Sequence, residues 1–142
     1  MVVLAFAVLL MGQAGAVMWM RAATFPVPKD DKSLTLTGLS YDGVGGIVEV
    51  TSARLQVVSK EGDSKVHAVW TLTGRNATPQ ARKMQVSIYL LSAARKRIAV
   101  VRKTAFIGAA QENHVYELKM KVKPKTWARA KNVYVQVDFM VR

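Results

Sequence analysis

The chain has 142 residues, a hydrophobic fraction of 51% and a formal net charge of +12. It has no cysteine, which excludes disulfides, thiolate metal sites and cysteine nucleophiles. Setting aside the apolar N-terminal stretch leaves roughly 110–120 residues, which suits one domain with one core.

The positive charge is concentrated in the C-terminal half of the sequence. Residues 1–74 hold six Lys/Arg and six Asp/Glu, whereas residues 75–142 hold fifteen Lys/Arg and three acids. This excess indicates an anionic partner, unless it only keeps the protein soluble.

The first twenty residues form an apolar stretch without a charged side chain. As a helix they would span about 30 Å, the thickness of a bilayer core. Trp19 and Arg21 then suit the membrane interface. Cleavage after Ala16 is the alternative, because Ala14 and Ala16 have the spacing of a signal-peptidase site. No basic residue precedes the apolar stretch, so we predict a retained transmembrane helix over residues 1–21, an uncleaved signal anchor.

Small residues on this predicted helix favour packing against another helix. Gly12 and Ala16 are four residues apart and share a face, which lets a second backbone approach closely. Gln13 would seek a hydrogen-bond partner there. The alternative is that these small residues belong only to a vestigial cleavage site.

Residues 22–32 follow as a predicted linker, in which Pro26 and Pro28 favour an extended stem. The basic residues after the predicted span would place the following domain in the cytoplasm by the positive-inside rule. The secretory character of residues 2–16 favours the opposite, extracytoplasmic (periplasmic) side, and we adopt that orientation.

Residues 33–142 are predicted to form one all-β domain. Apolar residues alternate with polar ones in most of its segments, and in 65–74 this puts Trp70 on the inward face. About seven such segments at regular spacing predict an antiparallel β-sandwich, with an open barrel such as an OB-fold as the alternative. The segments are 33–38, 46–60, 65–74, 83–91, 97–107, 114–123 and 132–142.

Residues 69–100 resemble the FxLYD-type, immunoglobulin-like sandwich domains of bacterial and archaeal envelope proteins. The matching positions are a loop and the strand that follows it, namely Gly74, Asn76, Thr78 and Pro79, then Val86, Ile88 and Leu90, with Lys96 and Ile98 after the next turn. Leu91-Ser92 departs from the family's Tyr-Asp, and Arg95 stands where Gly is usual. The resemblance implies an Ig-like, membrane-tethered domain for scaffolding or interaction, and it brings no catalytic residues.

The sequence contains no recognisable catalytic or metal-binding motif. His67 and His114 lack partners at metal-ligand spacing. The glycine-rich residues 38–46 are not followed by a P-loop lysine, so they indicate a loop. Asn76-Ala77-Thr78 is formally a glycosylation sequon, but an Asn turn explains it equally well. We predict neither an enzyme nor a bound cofactor.

Basic residues near the C-terminus are the best functional candidate. Lysines alternate along one predicted strand and more basic residues follow: Lys119, Lys121, Lys123, Lys125, Arg129 and Lys131. The expected partners are anionic lipid headgroups or an acidic protein surface. Nucleic acid is disfavoured, because stacking aromatics do not interleave with these lysines. On an edge strand the lysines would alternatively serve only to prevent aggregation.

Two functional hypotheses follow. The first is a non-catalytic accessory subunit of a larger membrane complex, for example a bacterial photosynthetic or respiratory assembly, with the span on neighbouring helices and the basic sandwich bracing the complex at the membrane face. The alternative is a stand-alone, membrane-tethered binding module: an envelope sensor, or a binder of anionic lipid or nucleic acid.

Overall fold

The computed structural model describes residues 8–11, 17–28, 32–35, 38–43, 46–58 and 64–141. This part of the chain contains ten strands and one short helix. The elements are β1 (Val8–Met11), β2 (Val17–Pro26), β3 (Lys32–Thr35), β4 (Ser40–Gly43), β5 (Gly46–Val58), β6 (Val66–Asn76), β7 (Arg82–Leu91), β8 (Arg97–Ile107), β9 (Gln111–Val122), α1 (Pro124–Arg129) and β10 (Asn132–Val141).

The strands form two antiparallel sheets. Sheet A has the order β1-β2-β10-β7-β8, and sheet B has the order β3-β5-β6-β9, with β4 also paired to β5. A single cluster of buried apolar side chains draws on both sheets. The prediction of an all-β fold with two antiparallel sheets is therefore confirmed.

The inward faces follow from the alternation in the sequence. Along β6 every second residue is buried, and Trp70 at its centre is 0% exposed. Strand β9 alternates in the same way from Tyr116 to Val122, as does β10 from Val133 to Phe139. Burial of these side chains on one face is the main stabilising contribution to the domain.

The N-terminal segment differs from its prediction. Where the sequence predicts a transmembrane helix over 1–21 and a linker over 22–32, the structure has β1 and β2. Strand β2 lies between β1 and β10, and Ala22, Ala23 and Phe25 are buried. In β2 residues 17–20 and 22–23 are apolar on both faces of the strand, so hydropathy alone does not distinguish this segment from a buried helix. Pro26 is tolerated because it ends the strand.

The two residues predicted at a membrane interface lie in sheet A. Trp19 is paired in register with Leu9 of β1 and Phe139 of β10, and half-buried Arg21 is opposite Val137. In the described ranges, no helix has the length and apolar character needed to cross a membrane. The predicted helix-packing residues Gly12, Gln13 and Ala16 lie outside the described residues.

Strand β4 and helix α1 were not among the predicted elements. Strand β4 forms a short hairpin with β5 within the glycine-rich segment, where Gly43 and Gly46 are paired. Gly46 has φ +142°, and a Cβ there would lie 2.8 Å from the carbonyl oxygen of Ala77. Only glycine fits this position without displacing the loop after β6.

Candidate functional site

Strand β9 presents the predicted lysines to solvent. Lys119 and Lys121 are exposed, whereas Leu118, Met120 and Val122 between and beside them are buried. Lys123 follows the strand and is also exposed. We call Lys119, Lys121 and Lys123 the lysine stripe. Alternate residues of a strand are about 6.5–7 Å apart, so the side chains of Lys119 and Lys121 leave β9 on the same outward face, and Lys123 follows at the end of the strand.

None of the ion pairs among the described residues includes a lysine of the stripe. They join Arg75 to Glu49, with a nitrogen–oxygen distance of 2.9 Å, and to Glu112, at 4.0 Å. Arg75 on β6 is thus compensated by carboxylates on both neighbouring strands. Within the same described ranges the stripe has no comparable compensation, and this distinguishes it from Arg75.

Helix α1 continues the basic surface. It begins at Pro124, directly after Lys123 at the N-cap. Trp127 is half-buried against the core and fixes the orientation of the helix, while Lys125 and Arg129, four residues apart on one face, are exposed. Five of the six predicted contact residues therefore follow one another from β9 into α1.

The sixth predicted contact residue, Lys131, is placed differently. Its backbone N–H donates to the carbonyl of Leu91 in β7 (2.8 Å), and its carbonyl accepts from Val27 after β2 (3.0 Å). The exposed side chain of Lys131 therefore starts beside sheet A, whereas the lysine stripe belongs to sheet B.

A cleft of about 520 Å³ lies beside the stripe. Within the described part of the chain, β8 is the last strand of sheet A and β9 the last strand of sheet B. The cleft separates these two edges and is lined by residues 98–101 and 119–123, together with Lys65 and Thr126. Val100 of β8 is 46% exposed there, which is a large exposed fraction for an apolar side chain.

One lysine bridges the two sheet edges. Lys103 of β8 donates through Nζ to the backbone carbonyl of Glu117 in β9, at 3.1 Å. The contact joins residues 14 positions apart and depends on the packing of the two sheets, so the sequence pattern gave no signal for it.

The loop after β6 is held by a buried asparagine. Asn76 is 0% exposed, and its Nδ2 donates to the carbonyls of Gln80 (2.8 Å), Ile107 (3.1 Å) and Gly108 (3.1 Å). Its Oδ1 accepts from the backbone N–H (2.9 Å) and the hydroxyl (2.7 Å) of Thr78. The amide is fully engaged, so the sequon is structural in the folded protein and Asn76 is not accessible for glycosylation.

The outer face of sheet A carries an aromatic and cationic cluster that the sequence pattern did not predict. The guanidinium carbon of Arg97 lies 4.2 Å from the ring centroid of Tyr89, and Arg102 donates to the Tyr89 hydroxyl at 2.9 Å. The ring of Tyr134 lies 5.9 Å from that of Tyr89. Alternation in β7 and β10 put both tyrosines on the outward face, but only the strand pairing brings them together.

A carboxylate lies on the same strand as Tyr134. Burial raises the pKa of Asp138, while its hydrogen bond from Gln136 (3.2 Å) and the charge of Arg102 act in the opposite direction. Burial also raises the pKa of Tyr134. Tyr89 itself is buried beneath its cationic neighbours, so this cluster covers the sheet and leaves no open aromatic platform for stacking a ligand.

The histidines are separated in the structure. His67 of β6 is paired with Lys121, and His114 of β9 with Gly74. Over the described ranges, no group of three His, Cys, Asp or Glu side chains could hold a metal ion.

Comparisons with known proteins add little. No family model matches the chain, and no curated protein sequence matches it. Among solved structures, one that is similar to it is the crystal structure of the enzymatically active domain of bacteriophage CBA120 tailspike protein 4. The sequences are 14% identical with a TM-score of 0.28, and the match covers 84% of this chain and 17% of the tailspike chain. A likeness at this level supports no statement about fold or activity.

Proposed function

We propose that this protein is a non-catalytic β-sandwich subunit that binds an acidic protein surface of a larger assembly. The observation that carries the proposal is the lysine stripe: three exposed lysines on alternate residues at a sheet edge, outside the ion pairs of the described residues. Lys125 and Arg129 extend the contact surface along α1.

The electrostatics favour a partner over bare solvent. Two charges about 7 Å apart repel by roughly 0.6 kcal/mol in water, and the stripe contains two such neighbouring pairs. A facing carboxylate surface replaces this repulsion by attraction and adds charge complementarity, which selects the partner and speeds association. Salt weakens both effects over a Debye length of about 10 Å at 0.1 M.

The setting of the subunit belongs to the same proposal. An Ig-like sandwich on the extracytoplasmic side of a membrane, attached to a membrane complex such as a bacterial photosynthetic or respiratory assembly, is supported by the resemblance of residues 74–79 and 86–90 to envelope domains. The proposed contact with the complex is made by the lysine stripe and α1 and requires no membrane-spanning helix.

The test is co-purification of the full chain with its native assembly. Extraction in mild detergent followed by native mass measurement should give a stoichiometric complex. Lys119→Glu combined with Lys121→Glu should lower the bound fraction by about ten-fold, as should raising salt from about 0.05 to 0.5 M. Lys83→Glu combined with Lys96→Glu is the matched control, since it makes the same charge change at exposed positions of β7 and of the turn that follows it.

The alternative outcomes are distinct. A monomer that binds vesicles containing phosphatidylserine, but not vesicles of phosphatidylcholine alone, would replace the acidic protein by anionic lipid. Normal association of the Lys119/Lys121 double variant, with no effect of salt, would reduce the stripe to a solubility device. Circular dichroism and thermal unfolding establish that each variant is folded.

A further inference from the structure

Within the described part of the chain, no strand pairs with the backbone edge of β9 that lies beside the cleft. Backbone N–H and C=O groups of a strand point to alternate sides, with a period of two residues. Because Lys103 of β8 reaches the carbonyl of Glu117, that carbonyl points away from β6. The N–H and C=O groups of Lys119 and Lys121 share its parity, so they point into the cleft as well.

Strand β6 supports the same orientation. The carbonyl of Thr73 accepts from Thr51 Oγ1 of β5 at 3.2 Å, so it points away from β9. Thr71 has the parity of Thr73 and is the residue paired in register with Glu117. The Thr71–Glu117 pair is therefore a non-hydrogen-bonded pair, and the backbone groups of Glu117 face the open edge.

The cleft also has a distinct chemistry on its two sides. The lysine stripe lies along the outer face of β9, whereas the inner side is lined by apolar residues of β8 and by Met120 and Val122. The side chains of a strand added to β9 would point alternately to these two sides. Those opposite the lysines would lie on the outer face, and the others would contact the apolar lining.

We propose that the edge of β9 at residues 119–122 binds an extended peptide segment of its partner by antiparallel strand addition, and that this segment alternates acidic and apolar residues. Main-chain hydrogen bonds supply affinity and the alternating side chains supply specificity, as in other cases of strand addition. The inference rests on the proposed function, which it deepens by naming the element that the acidic partner contributes.

A second copy of this chain does not fit the same edge. Antiparallel pairing of β9 with β9 centred on Lys121 would set Lys119 opposite Lys123 and Lys121 opposite its own copy, and like charges directly opposite are destabilising. Glutamate or aspartate on the added strand, directly opposite the lysines, would make the same cross-strand pairs favourable. Charge therefore selects an acidic partner over self-association.

Synthetic peptides test the inference on the full 142-residue chain. A capped Glu-Val-Glu-Val-Glu-Val-Glu peptide should bind, and a peptide of the same composition with the order Glu-Glu-Val-Val-Val-Glu-Glu should bind about ten-fold more weakly or less, because it cannot satisfy both sides of the cleft. Binding of the alternating peptide should slow hydrogen exchange at the amides of Lys119 and Lys121.

Backbone methylation provides the sharper control. In antiparallel addition, the peptide residues opposite the lysines direct their own N–H and C=O groups at β9. Methylating two glutamate nitrogens should therefore weaken binding by about ten-fold or more, since two backbone hydrogen bonds are lost. Methylating two valine nitrogens leaves the pairing edge intact and should have little effect.

The outcomes separate the two proposals. Equal affinity for the alternating, reordered and methylated peptides, all lost in Lys119→Glu/Lys121→Glu, would overturn strand addition while leaving charge-based partner binding in place. Absence of peptide binding, together with loss of the native partner in that double variant, would also overturn strand addition alone. Normal partner association of the double variant would overturn the proposed function itself.

Discussion

The hydrogen bonds of Asn76 give a prediction whose size follows from the structure. Asn76→Ala removes two N–H donors that serve three backbone carbonyls, and one oxygen that accepts twice from Thr78. Counting two donated and two accepted bonds at about 1 kcal/mol each, the expected loss is roughly 4 kcal/mol. Typical domains have about 5–15 kcal/mol of stability, so the loss is large.

Urea unfolding, followed by circular dichroism, measures this loss. Thr78→Ala should cost roughly 1–2 kcal/mol, because it removes only the hydroxyl from the same cluster. Thr104→Ala, at an exposed position of β8, should change the free energy of unfolding by less than about 0.5 kcal/mol. A loss below about 1 kcal/mol for Asn76→Ala would contradict the view that the asparagine ties the loop to the β8–β9 turn.

Three further substitutions test other parts of the core and its turns. Trp70→Ala should cost roughly 3–5 kcal/mol in the same urea assay, since the indole is fully buried; a red-shifted, readily quenched emission from a variant with Trp70 as its only tryptophan would contradict that placement. Tyr116→Phe should stabilise the protein by up to about 1 kcal/mol, because the buried hydroxyl has no hydrogen-bond partner among the residues that the structure describes. Burial also raises the pKa of Tyr116, so the unfolded chain releases that proton above a pH of about 10 while the folded chain keeps it. Melting curves should therefore show a smaller alkaline loss of stability for the variant, and identical losses would contradict this. Arg95→Gly should raise the free energy of unfolding by about 1 kcal/mol, since Arg95 has φ +60°; Ala94→Gly in the same turn is the control and should not stabilise.

The strands that could be predicted are those with one face in the core. Alternation of apolar and polar residues predicted most of the seven segments, together with the inward position of Trp70. Strand β2 was not predicted because most of its residues are apolar on both faces and show no alternation, and β4 because its four residues give too short a pattern.

For the candidate site, the sequence predicted the direction of the side chains but not the neighbours of the strand that carries them. Alternation determined that Lys119 and Lys121 point away from the core. That β9 lies at a sheet edge, and that Lys103 reaches the carbonyl of Glu117, depend on which strands are neighbours. Such neighbours are chosen by the packing of distant segments, and no local period in the sequence reports them.

The position of β10 in sheet A has a consequence for how the chain acquires its structure during synthesis. Residues 132–141 pair with β2 on one side and β7 on the other, so they form the middle strand of five. Until a ribosome has released them, β2 and β7 have no common neighbour and each exposes an unpaired edge and an apolar face. The nascent chain therefore passes through a long interval in which it is prone to aggregate, and slow folding through non-local contacts lengthens that interval. A chaperone that shields β2 would act on this protein before the residues of β10 emerge.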